Sequence, residues 1–174
     1  VTEAGDPLLR DMALVRGEAI HLALETSATD LSMLRAVIDA SAPDLPESVR
    51  AAAASEVLAA RLLPDAAPFF GGDALAEAGV SLLLPEKGER IVGRIDRLLV
   101  SPKHVRFVDF KSDAAPPPPG QAPHAYLLQM AAYRAALMGI YPDRSVQACL
   151  LWTAAPRLDC LSDAVLDEAW KKGW

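Results

Sequence analysis

The sequence predicts an α/β domain in which a mixed sheet is flanked by helices. Three observations predict it. Residues 75–111 alternate as strands do and are broken twice by short turns, at Pro85-Glu86-Lys87-Gly88 and Ser101-Pro102-Lys103, which makes a three-strand antiparallel meander. A strongly apolar stretch, Ser145 to Thr153, follows a helix, so a crossover can bring it into the same sheet. The remaining segments carry apolar residues at helical rather than alternating spacing.

Taken in order, Val1 to Asp6 is a lead-in, with Asp6 as the cap of a helix that starts at Pro7 and runs to about Glu25. Gly17, His21 and Leu24 share one face of it. A glycine inside a helix costs about 1 kcal/mol, which points to the close approach of another element. Thr29-Asp30 caps a helix predicted over Leu31 to Ala40, and Ser41 to Pro46 is a turn. An Ala-rich helix follows from Pro46 to about Leu63. These two helices carry no reactive constellation and read as an insertion that packs against one side of the core. Residues 64–72 read as a loop pinned by Phe69-Phe70. The strands are predicted over Leu75 to Leu84, Arg90 to Val100 and His104 to Lys111. Four consecutive prolines from Pro116 make residues 113–123 an extended loop. The next helix, Ala122 to Met138, presents Tyr126, Gln129 and Tyr133 on one face and ends at Gly139. The fourth strand is Ser145 to Thr153, and a short helix from Asp163 to Trp170 closes the chain. There are no internal repeats.

A chain of 174 residues suffices for one domain with a sizeable core. No apolar run reaches the roughly 18 residues a membrane span needs, and no signal-peptide pattern opens the sequence. The first residue is not Met, so the chain reads as part of a longer one. Cys149 and Cys160 are too few for a zinc or iron–sulfur cage, and their apolar neighbours predict buried free thiols suited to a reducing cytoplasm. The net charge of −6 argues mildly against a nucleic-acid partner. Its distribution argues otherwise, because residues 87–111 carry seven basic and three acidic residues.

Two of those three acids stand where charge is costly. Asp96 lies inside an apolar strand, and a second strand ends in Asp109-Phe110-Lys111. Strand alternation puts Asp109 and Lys111 on one face, about 6.6 Å apart along the chain. Two acids and a lysine converging in an apolar setting call for a cation between them. A hard divalent ion fits, Mg²⁺ first and Mn²⁺ as its substitute. Such an ion activates water and polarises a phosphate, while Lys111 holds the attacking water and offsets developing charge. No Ser-His-Asp set, Walker loop or Gly-rich dinucleotide turn competes. Taken alone, D-x-K reads as a surface ion pair, a common and weak interaction. The surrounding motifs decide between these readings.

Those motifs are R-G-x-x-x-H-x-x-L-E from Arg16, G-R-I-D-R from Gly93, V-D-F-K-S from Val108 and Y-x-x-Q-x-x-x-Y from Tyr126. In this order they resemble the PD-(D/E)xK nucleases of the RecB type, above all the C-terminal nuclease domain of AddA subunits of AddAB helicase–nucleases. The resemblance spans His21 to Trp152. It implies a restriction-endonuclease-like core, α-β-β-β-α-β, with the helical pair as an insertion after the first helix. It implies His21, Asp96, Asp109 and the Phe110 backbone carbonyl as metal ligands and Lys111 as the catalytic lysine. Gln129, Tyr133 and Tyr126, with Arg94 and Arg97, would contact DNA or support the site. Glu77 matches an acid at the start of the first core strand. The family often has Tyr where Phe110 stands, and the four-proline loop is a departure.

By resemblance the chain is a Mg²⁺-dependent DNA exonuclease in double-strand-break repair and recombination, cytoplasmic and nucleoid-associated. It would cut the 3′-terminated single strand delivered by a helicase in cis, which alone would use ATP, beside an AddB-type partner subunit. No iron–sulfur cluster and no membrane are expected. The alternative is a catalytically silent nuclease-like domain that guides DNA or binds a partner subunit.

Overall fold

The computed structural model describes residues 7–84 and 89–173. The expected lead-in with its Asp6 cap, and the turn at Pro85 to Gly88, lie outside the described residues. Among the described residues, five α-helices and five strands follow in order: α1 (Pro7–Glu25), α2 (Leu31–Ser41), α3 (Glu47–Arg61), β1 (Leu75–Leu84), β2 (Glu89–Val100), β3 (His104–Lys111), α4 (His124–Ile140), β4 (Ser145–Trp152), β5 (Arg157–Cys160) and α5 (Asp163–Lys172). The strands form one sheet in the order β1-β2-β3-β4-β5. β3 and β4 are parallel, and the other neighbours are antiparallel. This is the mixed sheet flanked by helices that the sequence predicts.

The sheet separates two cores, and strand alternation decides which residue enters each. Val108 and Phe110 of β3, with Cys149 and Leu151 of β4, face α1, α2 and α3. Phe107, with Ala148, Leu150 and Trp152, faces α4 and α5. β4 is buried on both faces over its last five residues, which explains its unbroken apolar run. Trp152 is fully buried, contributing about 2–3 kcal/mol. Its indole N–H donates to Asp159 at 2.8 Å, so β5 supplies the polar partner the ring needs.

Three features depart from expectation. Residues 67–70, expected in a loop, form a 3-10 turn with Phe69 buried. α4 runs through Gly139 to Ile140 instead of stopping at the glycine. β5 is new, and it corrects the reading of the cysteines: Cys149 and Cys160 are cross-strand partners joined in a disulfide, and Cys160 is exposed. Four residues with one aliphatic among them leave no readable alternation, so β5 exists because β4 offers it an edge. The expected free thiols therefore lend no support to a reducing compartment. Among the described residues no helix is long and apolar enough to cross a membrane.

Helix α1 is pinned to the sheet at both ends of its site-facing half. Arg97 of β2 donates to the Leu24 and Glu25 carbonyls at 2.9 and 2.8 Å, supplying the cation at the helix C-terminus that α1's own last turn lacks. Gly17 lies against the end of β3, where a Cβ would stand 2.9 Å from the Ser112 hydroxyl. The close approach expected at this glycine is therefore present.

On the opposite face the Tyr133 ring lies over Gly93 of β2, and an added Cβ would sit 2.6 Å from the Tyr133 hydroxyl. Gly93→Ala is expected to destabilise the protein by about 1–3 kcal/mol in urea unfolding. Gly79→Ala, with nothing within 4 Å of its Cβ, should change stability by less than about 1 kcal/mol. Equal midpoints for the two variants would refute the packing.

Candidate active site

The site forms where β2 parts from β3. These strands pair from Val100↔Val105 down to Arg97↔Val108, and there the described register stops. β2 continues beside β1, while β3 continues beside β4 alone. One more step of the register sets Asp96 opposite Asp109. In the fork, the Phe110 N–H donates to an Asp96 carboxylate oxygen at 2.6 Å. A side chain thus replaces the backbone acceptor that β2 no longer offers, as a buried N–H requires.

Asp96 and Asp109 are 8% and 5% exposed. Burial first, and the Asp109 charge second, push the Asp96 carboxyl up to about 7, against the Phe110 N–H and the Lys111 charge. His21, on the face of α1 toward the fork, has its Nδ1 3.9 Å from Asp96. Burial holds the His21 pKa below its ordinary 6.5 despite the Asp109 charge and a hydrogen bond to the Phe110 backbone. With His21 neutral, the 3.9 Å approach is a dipolar contact rather than an ion pair.

Lys111 shares its face with Asp109, as alternation dictates, and reaches it at 2.7 Å. Its ammonium also donates to the Gln129 amide oxygen at 3.0 Å and lies 3.9 Å from the centre of the Tyr126 ring. Gln129 in turn donates to the Tyr133 hydroxyl at 3.2 Å. Tyr126 donates to Asp113, and burial with that carboxylate raises the phenol pKa to about 12. The helix face read from spacing therefore does one thing: it holds the lysine.

His21, Asp96, Asp109, Phe110, Lys111, Arg94, Tyr126 and Gln129 line one open cleft of about 620 Å³. Tyr133 stands behind Gln129, and Arg97 is buried and caps α1 instead of lining the cleft. Arg94 and Lys111 are the members of the basic segment that reach the cleft among the described residues. Arg90 bonds to Ser81 and Arg106 to Gln147, and Lys87 lies outside the described residues. Glu77 borders an adjoining groove with His21 and pairs with Arg94. It is the non-glycine residue with positive φ, 52°, directly across β2 from Asp96. Such a conformation costs of order 1–3 kcal/mol. Burial, then a hydrogen bond with Glu77, raises the pKa of Glu25 beside it.

Two residues at the cleft were given no role in the sequence reading: Arg16 and Asp113. Arg16 opens the first motif and lines the cleft, and Asp113 directly follows the last one.

Among the described residues, no three His, Cys, Asp or Glu side chains are gathered closely enough to form a cage by themselves. The donors present are two carboxylates, a neutral imidazole and the Phe110 carbonyl. This set suits a hard divalent cation that keeps water in its remaining positions. A cation held beside Asp96 would favour its charged form against the burial that raises its pKa.

Asp96 binds its proton more tightly in the folded protein than in the unfolded chain. Without divalent ions, stability should therefore fall as pH rises from the ordinary 3.8 to about 7, and level off above. Asp96→Asn keeps an acceptor for the Phe110 N–H and removes the charge. It should raise stability at pH 8 by on the order of 2 kcal/mol and flatten that slope. Thermal melts across this pH range in chelator test it, and an unchanged slope in the variant would place the proton elsewhere.

No curated protein matches the sequence. A solved structure described as "Crystal structure of SSO0001" is 12% identical, with 91% of this chain and 82% of that one covered and a TM-score of 0.39, too distant to carry an argument. The family model for the PD-(D/E)XK nuclease superfamily matches residues 3–169. The chain belongs to the PD-(D/E)XK nuclease superfamily.

Proposed function

We propose that this chain is a Mg²⁺-dependent DNA nuclease domain that hydrolyses phosphodiester bonds of single-stranded DNA. One observation carries the reading: two buried carboxylates and a lysine meet in an open cleft at the fork between β2 and β3. Asp96, Asp109, the Phe110 carbonyl and His21 would hold the ion. When bound, it supplies Lewis-acid activation of water and of the phosphate.

The protein's own groups account for the remainder. Neutral His21 keeps a lone pair for a ligand and adds no competing charge. Lys111, held by Asp109, Gln129 and the Tyr126 ring, can steady the attacking water and offset charge on the phosphate oxygens. Arg16 and Arg94, both on the cleft, are placed to meet neighbouring phosphates. Leu14 and Leu22 of α1 border the adjoining groove and are 63% and 45% exposed. Apolar side chains beside a phosphate path suit unpaired bases, which supports a single strand over a duplex.

The wider setting follows from the RecB-type motifs. The chain would trim the 3′-terminated strand, delivered single-stranded by a helicase in the same polypeptide, with an AddB-type subunit alongside, during double-strand-break processing. Mn²⁺ would substitute for Mg²⁺, and no iron–sulfur cluster would take part.

Asp96→Ala and Lys111→Ala should each reduce cleavage of end-labelled single-stranded DNA in Mg²⁺ by at least about 10²-fold while the fold, followed by circular dichroism, survives. Full activity in either variant would sink the site. Equal rates on single- and double-stranded substrates would remove the strand preference and leave the nuclease.

A further inference from the structure

A second polar network stands behind Lys111 and joins four elements. Arg16 of α1 donates from Nη1 to the Ser112 carbonyl at 3.2 Å, and from Nη2 to Glu56 of α3. The other Glu56 oxygen accepts the hydroxyl of Thr153, the residue after β4. Thr153, wholly buried, donates its N–H to the Lys111 carbonyl at 3.0 Å, and its hydroxyl lies 3.3 Å from the same oxygen. The Glu56 side chain is 10% exposed.

Lys111 is where support is needed. β3 has lost β2 before it reaches this residue, and immediately afterwards the chain leaves the sheet for the proline loop. The last turn of β3 is therefore held by β4 on one side only. A carboxylate that is only 10% exposed and receives two donors, one of them charged, makes a stiff node. Those donors, Arg16 and Thr153, are the groups that bond the Ser112 and Lys111 carbonyls.

We infer that Glu56 is a positioning residue for Lys111: through Arg16 and Thr153 it fixes the two carbonyls at the end of β3, and so the direction in which the lysine leaves the strand. This gives the helical insertion a part in the site, although α3 contributes no group to the cleft. The inference rests on the nuclease reading in taking Lys111 as the catalytic lysine.

Two measurements on the 174-residue chain test it. The first is mass-spectrometric amine labelling of Lys111 relative to Lys103 without metal, which does not depend on turnover. Glu56→Gln and Thr153→Val should speed Lys111 labelling several-fold, because the lysine no longer rests against Asp109 and Gln129. The second is cleavage kinetics in Mg²⁺. The same variants should lower kcat about ten- to a hundredfold with little change in KM, as expected for a displaced catalytic group. Thr153→Ser, which keeps the hydroxyl, should restore kcat. Val57→Ala, one residue along α3 and fully buried, should lower the melting temperature yet leave labelling and kcat unchanged. If Glu56→Gln and Thr153→Val match Val57→Ala in both measurements, Glu56 is merely structural and the inference is overturned. If the unaltered chain cleaves no DNA, the nuclease reading fails, and the labelling still decides whether Glu56 positions Lys111.

Discussion

The hydrogen bond from the Phe110 N–H to Asp96 is the constraint on which the rest depends. Two strands can separate inside a protein only if the backbone groups they abandon find other partners. Asp96 provides one, and in doing so it is drawn into the interior beside Asp109. The charge that satisfies the backbone is thereby placed where it is least stable, as its pKa near 7 shows. An opening in the sheet, a satisfied amide and a site poised for a cation are consequences of one side chain.

Helix α1 closes the fork from one face and α4 from the other, and they do different work. α1 brings His21, and its position is set by contacts with its surroundings: Arg97 of β2 at its C-terminal carbonyls and its own Arg16 against Ser112. α4 brings no metal ligand. Its Gln129 and Tyr126 meet the ammonium of Lys111, Tyr133 holds Gln129 from behind, and the absence of a side chain at Gly93 makes room for the Tyr133 ring. α1 thus brings its imidazole toward Asp96, and α4 brings its amide to Lys111.

Much of this was legible before any coordinates. Asp109 and Lys111 had to share a face because strands alternate, and they do. The Tyr126-Gln129-Tyr133 face followed from helical spacing, and the apolar run of β4 marked a strand covered on both sides. Arg97 was misread in emphasis. It sits in a basic segment beside a carboxylate, yet its guanidinium turns away to cap α1, since nothing local reveals that a distant helix end lacks a cation. The cysteines were misread for a related reason. Eleven residues separate them, and only the pairing of β4 with the short β5 makes them neighbours. Glu56 and Thr153 were invisible because a lone acid on an alanine-rich helix and a threonine after a strand acquire meaning only from what they touch.

By itself, the sequence determined what periodicity and residue chemistry can encode: the order of helices and strands, the face each side chain takes, and an acid–acid–lysine set whose chemistry suits a cation. Tertiary structure alone decided where β2 leaves β3, which side chain repays the lost backbone bond, and which distant groups brace the end of β3. The physical reason is range. Alternation and helical spacing act over a few residues, whereas Arg16, Glu56, Thr153 and Lys111 meet across separations of 40 to 97 positions that only the folded chain closes.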